Sequence, residues 1–155
     1  MAIYNICGQP HSGKTTIANH LKNILETNYC SKTVFILDGD ELRRIFADTD
    51  YSKEGRLNNI KRAYSIASHL SKIPNSDIIV AAVSPFLSLR EEFKKDFEVI
   101  EIYVHTTNIR GRENFHTQFE IPTESYQIFI DVDTTDVDEI TTMNELLNKI
   151  EKHKK

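Results

Sequence analysis

The residues best suited to chemistry come early in the chain. Gly8-Gln9-Pro10-His11-Ser12-Gly13-Lys14-Thr15 follows the pattern G-x-x-x-x-G-K-[ST]. In this pattern the glycines let backbone N–H groups turn inward around a phosphate, the lysine reaches the β and γ oxygens, and the threonine hydroxyl faces Mg²⁺. The helix that must open at Lys14, Thr15 and Thr16 adds its dipole and its unpaired N–H groups. Gly8 through Thr16 are therefore read as an ATP-binding loop, with Thr15 as a Mg²⁺ ligand. His11 shapes the loop or faces solvent.

A second group of polar residues follows in Leu37-Asp38-Gly39-Asp40. Two carboxylates at the carboxyl end of a strand lie where ligands of parallel sheets sit. They supply a base or orienter for an attacking hydroxyl, and Asp40 an acceptor for the Mg²⁺ shell, directly or through water. The competing interpretation makes Asp40 a cap of the short helix ELRRIF and Asp38 a strand terminus. The third strand runs into Val83-Ser84-Pro85 and lacks the acidic end of many ATPase motors. With no guanine-reading NKxD, this points to a small-molecule kinase. Arg43 follows the acids by one turn. Arg56 and Asn59 share a helix face at i, i+3, where a guanidinium can fork onto a phosphate or sulfate, and Tyr51 can stack on a base.

These groups need elements to hold them. Short β-rich runs occur at 2–7, 33–38, 77–83, 98–104 and 126–132. Helical spacing covers Gly13–Asn28 (Ile17, Leu21, Leu25) and Lys53–Ser71 (Leu57, Ile60, Tyr64, Ala67, Leu70), with Ser52 as N-cap of the latter. Further helices are read over Ser88–Phe97 and Val137–Lys152. Strands alternating with helices predict an α/β three-layer sandwich, a five-stranded parallel sheet with helices on both faces. The 20 residues 106–125 fit neither period and are read as a lid-like loop.

Composition excludes several classes. The 155 residues, 39% hydrophobic and 27% charged, suit one domain over 1–155 with one sizeable core. A net charge of −4 is unlike a nucleic-acid binder. No apolar run reaches a membrane span, and MAIYNICGQP is not a signal peptide, so a cytoplasmic location is expected. Cys7 and Cys30 are expected to be reduced, with Cys7 in the core. The histidines form no metal-ligand spacing, so Mg²⁺ is the one metal expected.

In order, GQPHSGKTT, LDGDELRR, YSKEGRLNNIKR and SPFLSLR resemble the adenylylsulfate kinase family over about residues 3–104. The resemblance implies a P-loop NTPase fold and transfer of the ATP γ-phosphoryl to the ribose 3′-hydroxyl of adenosine 5′-phosphosulfate. It implies Asp38 or Asp40 near that hydroxyl, Arg43, Arg56 and Asn59 on the phosphosulfate side, and Tyr51 as the stacking ring. Lys14 acts on the transferring phosphoryl. Ser84, Pro85 and Phe86 match the family's SPY. Ser84 corresponds to a serine sometimes regarded as a phosphorylated intermediate and is expected instead to position the acceptor. Phe115 stands for the family's second stacking aromatic, and a homodimer is a further implication. Gly55 replaces an acid of the family pattern, Phe86 replaces Tyr, and TNIRGRENFHTQFEIP is shorter than the usual lid. The alternatives are the same 3′-kinase chemistry on a cytidine nucleotide such as cytidine diphosphoramidate, a kinase with a non-nucleotide acceptor, and an ATP-binding regulator without turnover.

Overall fold

Alternation along the strands sorts side chains into two cores, and the helices follow from that. The computed structural model describes residues 1–108, 118–122 and 129–153. The elements run β1 (Ile3–Cys7), α1 (Lys14–Asn28), β2 (Thr33–Asp38), α2 (Gly39–Ile45), α3 (Lys53–Leu70), β3 (Ser76–Ala81), α4 (Leu87–Asp96), β4 (Val99–His105), β5 (Phe129–Asp133) and α5 (Glu139–His153). Tyr4, Ile6, Ile79 and Ile102 face α1 and α5, meeting Ile17, Leu21, Met143 and Leu146. Ile3, Ile78, Val80 and Val99 face the opposite way, onto Ile60, Tyr64 and Phe93 of α3 and α4. A sheet covered on both faces has no solvated side, so β1 and β3 are buried along their whole lengths.

The sheet is parallel throughout, in the order β2-β3-β1-β4-β5. From β1 the chain passes beyond β3 to reach β2, and from β3 it crosses β1 to reach β4. The loops leaving these two adjacent strands diverge, which opens a crevice at their carboxyl ends. The loop 8–13 and residues 82–85 form its two lips, held together by the Gly8 N–H donating to the Val83 carbonyl at 3.3 Å.

The expected elements are present, with boundary shifts of one to a few residues. β3 ends at Ala81, so Val83, Ser84 and Pro85 are loop rather than strand. β5 is described from Phe129; the expected start at 126, like Phe115, lies outside the described residues. Cys7 is buried and Cys30 exposed, both free thiols. Among the described residues no helix is long and apolar enough to cross a membrane.

Candidate active site

Gly8 has φ 151°, and a Cβ there would meet the Val104 carbonyl oxygen at 2.1 Å. The β1 exit therefore packs directly on β4 backbone, and only glycine fits. His11 (φ 58°) and Gly13 (φ 103°, the N-cap of α1) take left-handed conformations that wrap the loop. Lys14 is buried and donates from Nζ to the Gln9 carbonyl at 2.6 Å, so its ammonium lies across the loop mouth. Ser12 is fully buried, and its carbonyl accepts from the Thr134 hydroxyl at 3.1 Å. Its own Oγ has no partner among the described residues. A buried hydroxyl without a partner beside the Lys14 ammonium, at the start of α1, suits an oxygen-rich anion.

The two polar groups are joined by one short bond. Thr15 Oγ1 donates to Asp38 Oδ2 at 2.6 Å. The other oxygen of Asp38 accepts the backbone N–H of Asp40 (2.9 Å) and of Glu41 (3.2 Å), capping α2. The cap is therefore Asp38 and not Asp40, because Asp38 keeps extended backbone (φ −87°, ψ 130°) while Asp40 is already helical. Asp40 is exposed on the first turn, free of the capping duty. Because the Thr15 hydroxyl spends its proton on Asp38, its lone pairs are left for a hard cation. With Asp38 and Asp40 nearby, the donors are all oxygen, as Mg²⁺ requires.

A cleft of about 610 Å³ runs from the loop past these acids. Pro10, His11, Gly13, Lys14, Thr15 and Thr16 line one end, Asp38 and Asp40 the middle, and Arg43, Tyr51, Arg56 and Asn59 the far wall, with Ser84 and Pro85 on the lip. Gly8, Gln9, Ser12 and Phe86 stand outside the lining. Phe86 packs instead on the core beside α3 and α4, and its backbone precedes α4.

The far wall is preorganised. Arg43 is buried and donates to the Asp50 carbonyl (2.6 Å) and to Asp48 Oδ1 (3.3 Å). Arg62 reaches the other oxygen of Asp48 at 3.2 Å. The Asp50 N–H and these two guanidinium groups hold the Asp48 carboxyl below its usual range. Tyr51 is half-exposed, with Arg43 at 4.3 Å and Arg56 at 5.9 Å from its ring centroid. Arg56 Nε donates to the Tyr51 carbonyl at 3.1 Å. Burial, then the neighbouring Arg43 charge, pulls the Arg56 guanidinium below its ordinary value. Two crowded cations facing one cleft gain from an anion between them. Asn59 supports the site from beneath, donating from Nδ2 to the Gly39 carbonyl at 3.1 Å and so tying α3 to α2. Ser52 caps α3 by accepting the Gly55 N–H at 3.1 Å. Gly55 itself is required by space: a Cβ would meet the Asp50 carbonyl oxygen at 2.2 Å, which leaves no room for the acid of the family pattern.

Ser84 is 1% exposed and has φ 42°. Its Oγ lies 2.9 Å from the Tyr64 hydroxyl, which also accepts from Asn5 Nδ2 at 3.2 Å. Burial raises the Tyr64 phenol well above its ordinary value, so this network is neutral. Its hydroxyl is thus turned toward Tyr64, while the residue itself edges the cleft.

Asp48, Arg62 and Tyr64 were missed from sequence. Arg62 sits at i+3 from Asn59 on the same helix, which was a usable signal. Tyr64 belongs to the apolar stripe of α3, and the structure places it in that core. Nothing local marks Asp48. A second cavity, about 270 Å³, lies behind the loop between α1 and α5. Gly13 and Thr16 line both cavities, and His20, Thr134, Val137 and Asp138 are among the other walls of the second.

The parallel sheet, the glycine loop between β1 and α1, and the acids beyond β2 define a P-loop NTPase fold. The chain belongs to the adenylylsulphate kinase family, whose model matches residues 1–118. It is 34% identical over 109 residues to the bifunctional enzyme NodQ of Rhizobium meliloti, covering 68% of this chain but only 16% of that much longer protein. It is 30% identical over 118 residues to the cytidine diphosphoramidate kinase of Campylobacter jejuni, covering 73% of this chain and 68% of that one. The Mycobacterium tuberculosis APS kinase CysC, solved in complex with AMPPNP and APS, superposes with a TM-score of 0.78 over 97% of both chains. At 19% identity this last likeness speaks to the fold.

Proposed function

We propose that the chain is an ATP-dependent kinase acting on the ribose 3′-hydroxyl of a nucleotide with a modified 5′-phosphate, adenosine 5′-phosphosulfate in the leading reading. The observation that carries this is the Thr15–Asp38 bond. It ties the phosphate loop to the acid pair inside one cleft that continues to Tyr51 and Arg56. ATP lays its phosphates in the loop against Lys14 and its nucleoside over the second cavity. Thr15 and Asp40 would hold Mg²⁺, which when bound would neutralise the charge of the phosphates. The acceptor base stacks at Tyr51, and its anionic 5′ group lies between Arg43 and Arg56. The 3′-hydroxyl then faces Asp38 and Asp40, one of which accepts its proton as the oxygen bonds to the γ-phosphorus and ADP leaves. Lys14 turns from the Gln9 carbonyl to the phosphoryl oxygens, where its charge stabilises the transition state.

Cytidine diphosphoramidate is the second reading, favoured by the Campylobacter relative, which the chain matches over 68% of its length. Both substrates present a ribose hydroxyl and an anionic 5′ group, so the same residue roles serve either reading. The test is phosphoryl transfer from ATP to a panel of 5′-modified adenosine and cytidine nucleotides, read by mass spectrometry. A product heavier by one phosphoryl at the ribose supports the proposal and names the base. ATP binding with no transfer to any member would favour a regulator.

A further inference from the structure

The turn 84–87 on the cleft lip is held from outside by a segment far along the chain. Arg90 is fully buried on α4, and each of its three nitrogens lies against an oxygen. Its Nη1 donates to the Ser84 carbonyl, its Nη2 to the Glu120 carbonyl, and its Nε lies 2.8 Å from Glu101 Oε1. Lys94 pairs with the other oxygen of Glu101. Phe119 covers the guanidinium at 5.0 Å and stacks on Tyr103 at 5.4 Å. From the other side the Glu120 N–H donates to the Pro85 carbonyl at 3.0 Å. Helix α4 has no cap of its own; Phe86 precedes it, and the Leu87 N–H is instead accepted by Glu120 Oε2 at 2.5 Å. A helix cap supplied from 33 residues away makes the N-terminus of α4 depend on tertiary contact.

The strained residue lies inside this clasp. A left-handed φ on Ser84 is unfavourable for a residue with a Cβ and persists only where surrounding contacts over-determine it. Here Tyr64 holds its hydroxyl and Arg90 its carbonyl. Ser84 and Pro85 in turn form the cleft lip across from the acids.

We infer that Arg90 and Glu120 are positioning residues that set the acceptor side of the cleft through the 84–87 turn, without touching substrate. This rests on the acceptor reading above. Arg90→Lys keeps the charge opposite Glu101 but loses the two-carbonyl fork. Since Arg90 is buried and that variant can fail to fold, exposed Glu120 gives the cleaner test. Glu120→Ala removes the acceptor for Leu87 N–H, and Glu120→Gln keeps one.

Two measurements on the full chain separate the outcomes. Hydrogen exchange of the protein without ligand should quicken at 84–90 in Glu120→Ala, stay near wild type in Glu120→Gln, and leave the loop 8–15 unchanged in both. The acceptor KM should rise about fivefold in Glu120→Ala, the scale of a lost cap, with the ATP KM unchanged and Glu120→Gln largely rescued. Unchanged exchange at 84–90, or equal shifts in both KM values, overturns the inference. Should the wild type phosphorylate no nucleotide, the acceptor reading fails by itself, and with it the positioning role, while the exchange result still decides whether Glu120 holds the turn.

Discussion

Asp38→Asn separates the structural work of Asp38 from its chemical work. Asparagine ranks with aspartate as a helix N-cap, so its side-chain oxygen keeps the bonds from Asp40 and Glu41 that now measure 2.9 and 3.2 Å. The lost negative charge at the α2 N-terminus costs about 0.3–1 kcal/mol. The amide nitrogen then meets Thr15 Oγ1 in place of the carboxylate oxygen now at 2.6 Å. The hydroxyl must reverse and accept, which forfeits part of a charge-assisted bond, about 1 kcal/mol. The stability loss is therefore on the order of 1–2 kcal/mol, and the fold survives. The rate should fall much further, about 10²–10⁴-fold if Asp38 accepts or orients the acceptor proton. Asp38→Ala should lose the cap as well, about 1 kcal/mol more, with a similar rate defect. Urea unfolding paired with single-turnover phosphoryl transfer reads both quantities on one preparation. A rate for Asp38→Asn within threefold of wild type would reduce Asp38 to a cap and move the chemistry to Asp40. A stability loss as large as that of Asp38→Ala would show that the cap had not survived and would undo the separation.

Lys14→Ala should abolish measurable turnover and weaken ATP binding in a calorimetric titration. Arg56→Ala should raise the acceptor KM while leaving ATP affinity nearly unchanged, and Arg56→Lys should rescue little, because a fork is exchanged for a point charge. Ser84→Ala should retain phosphoryl transfer and yield no phosphoenzyme in the parent protein, since its hydroxyl faces Tyr64; loss of turnover in a well-folded variant would argue for a covalent route. Asp48 binds its proton less readily folded than unfolded, so its stabilising contribution is present above the ordinary value of 3.8 and is lost as pH falls through the lower folded value. Asp48→Asn should therefore be less stable at neutral pH and show a shallower fall in acid, measured by thermal melts across pH.

Local pattern made much of this protein legible without coordinates. The strand runs, the helical stripes of α1 and α3, the Ser52 cap and the phosphate loop are each set by short-range sterics and hydrogen bonding. A spacing such as G-x-x-x-x-G-K-T carries its geometry within a few residues, and two faces of buried strand residues force a covered parallel sheet. Arg56 and Tyr51 could be placed together because one helix start joins them. What needed the tertiary structure is where one polar group serves two distant elements. That Asp38 rather than Asp40 caps α2 while also accepting from Thr15 depends on where the carboxyl ends of β1 and β2 lie on either side of β3. The inward turn of Ser84 depends on Tyr64 lying beneath it. The use of Glu120 as the cap of α4, and of Arg90 as a fork between two carbonyls 36 residues apart, has no local signature at all. Local sequence restricts dihedrals and faces, but the partner of a buried polar group is chosen by whichever donor or acceptor the packed sheet brings within about 3 Å.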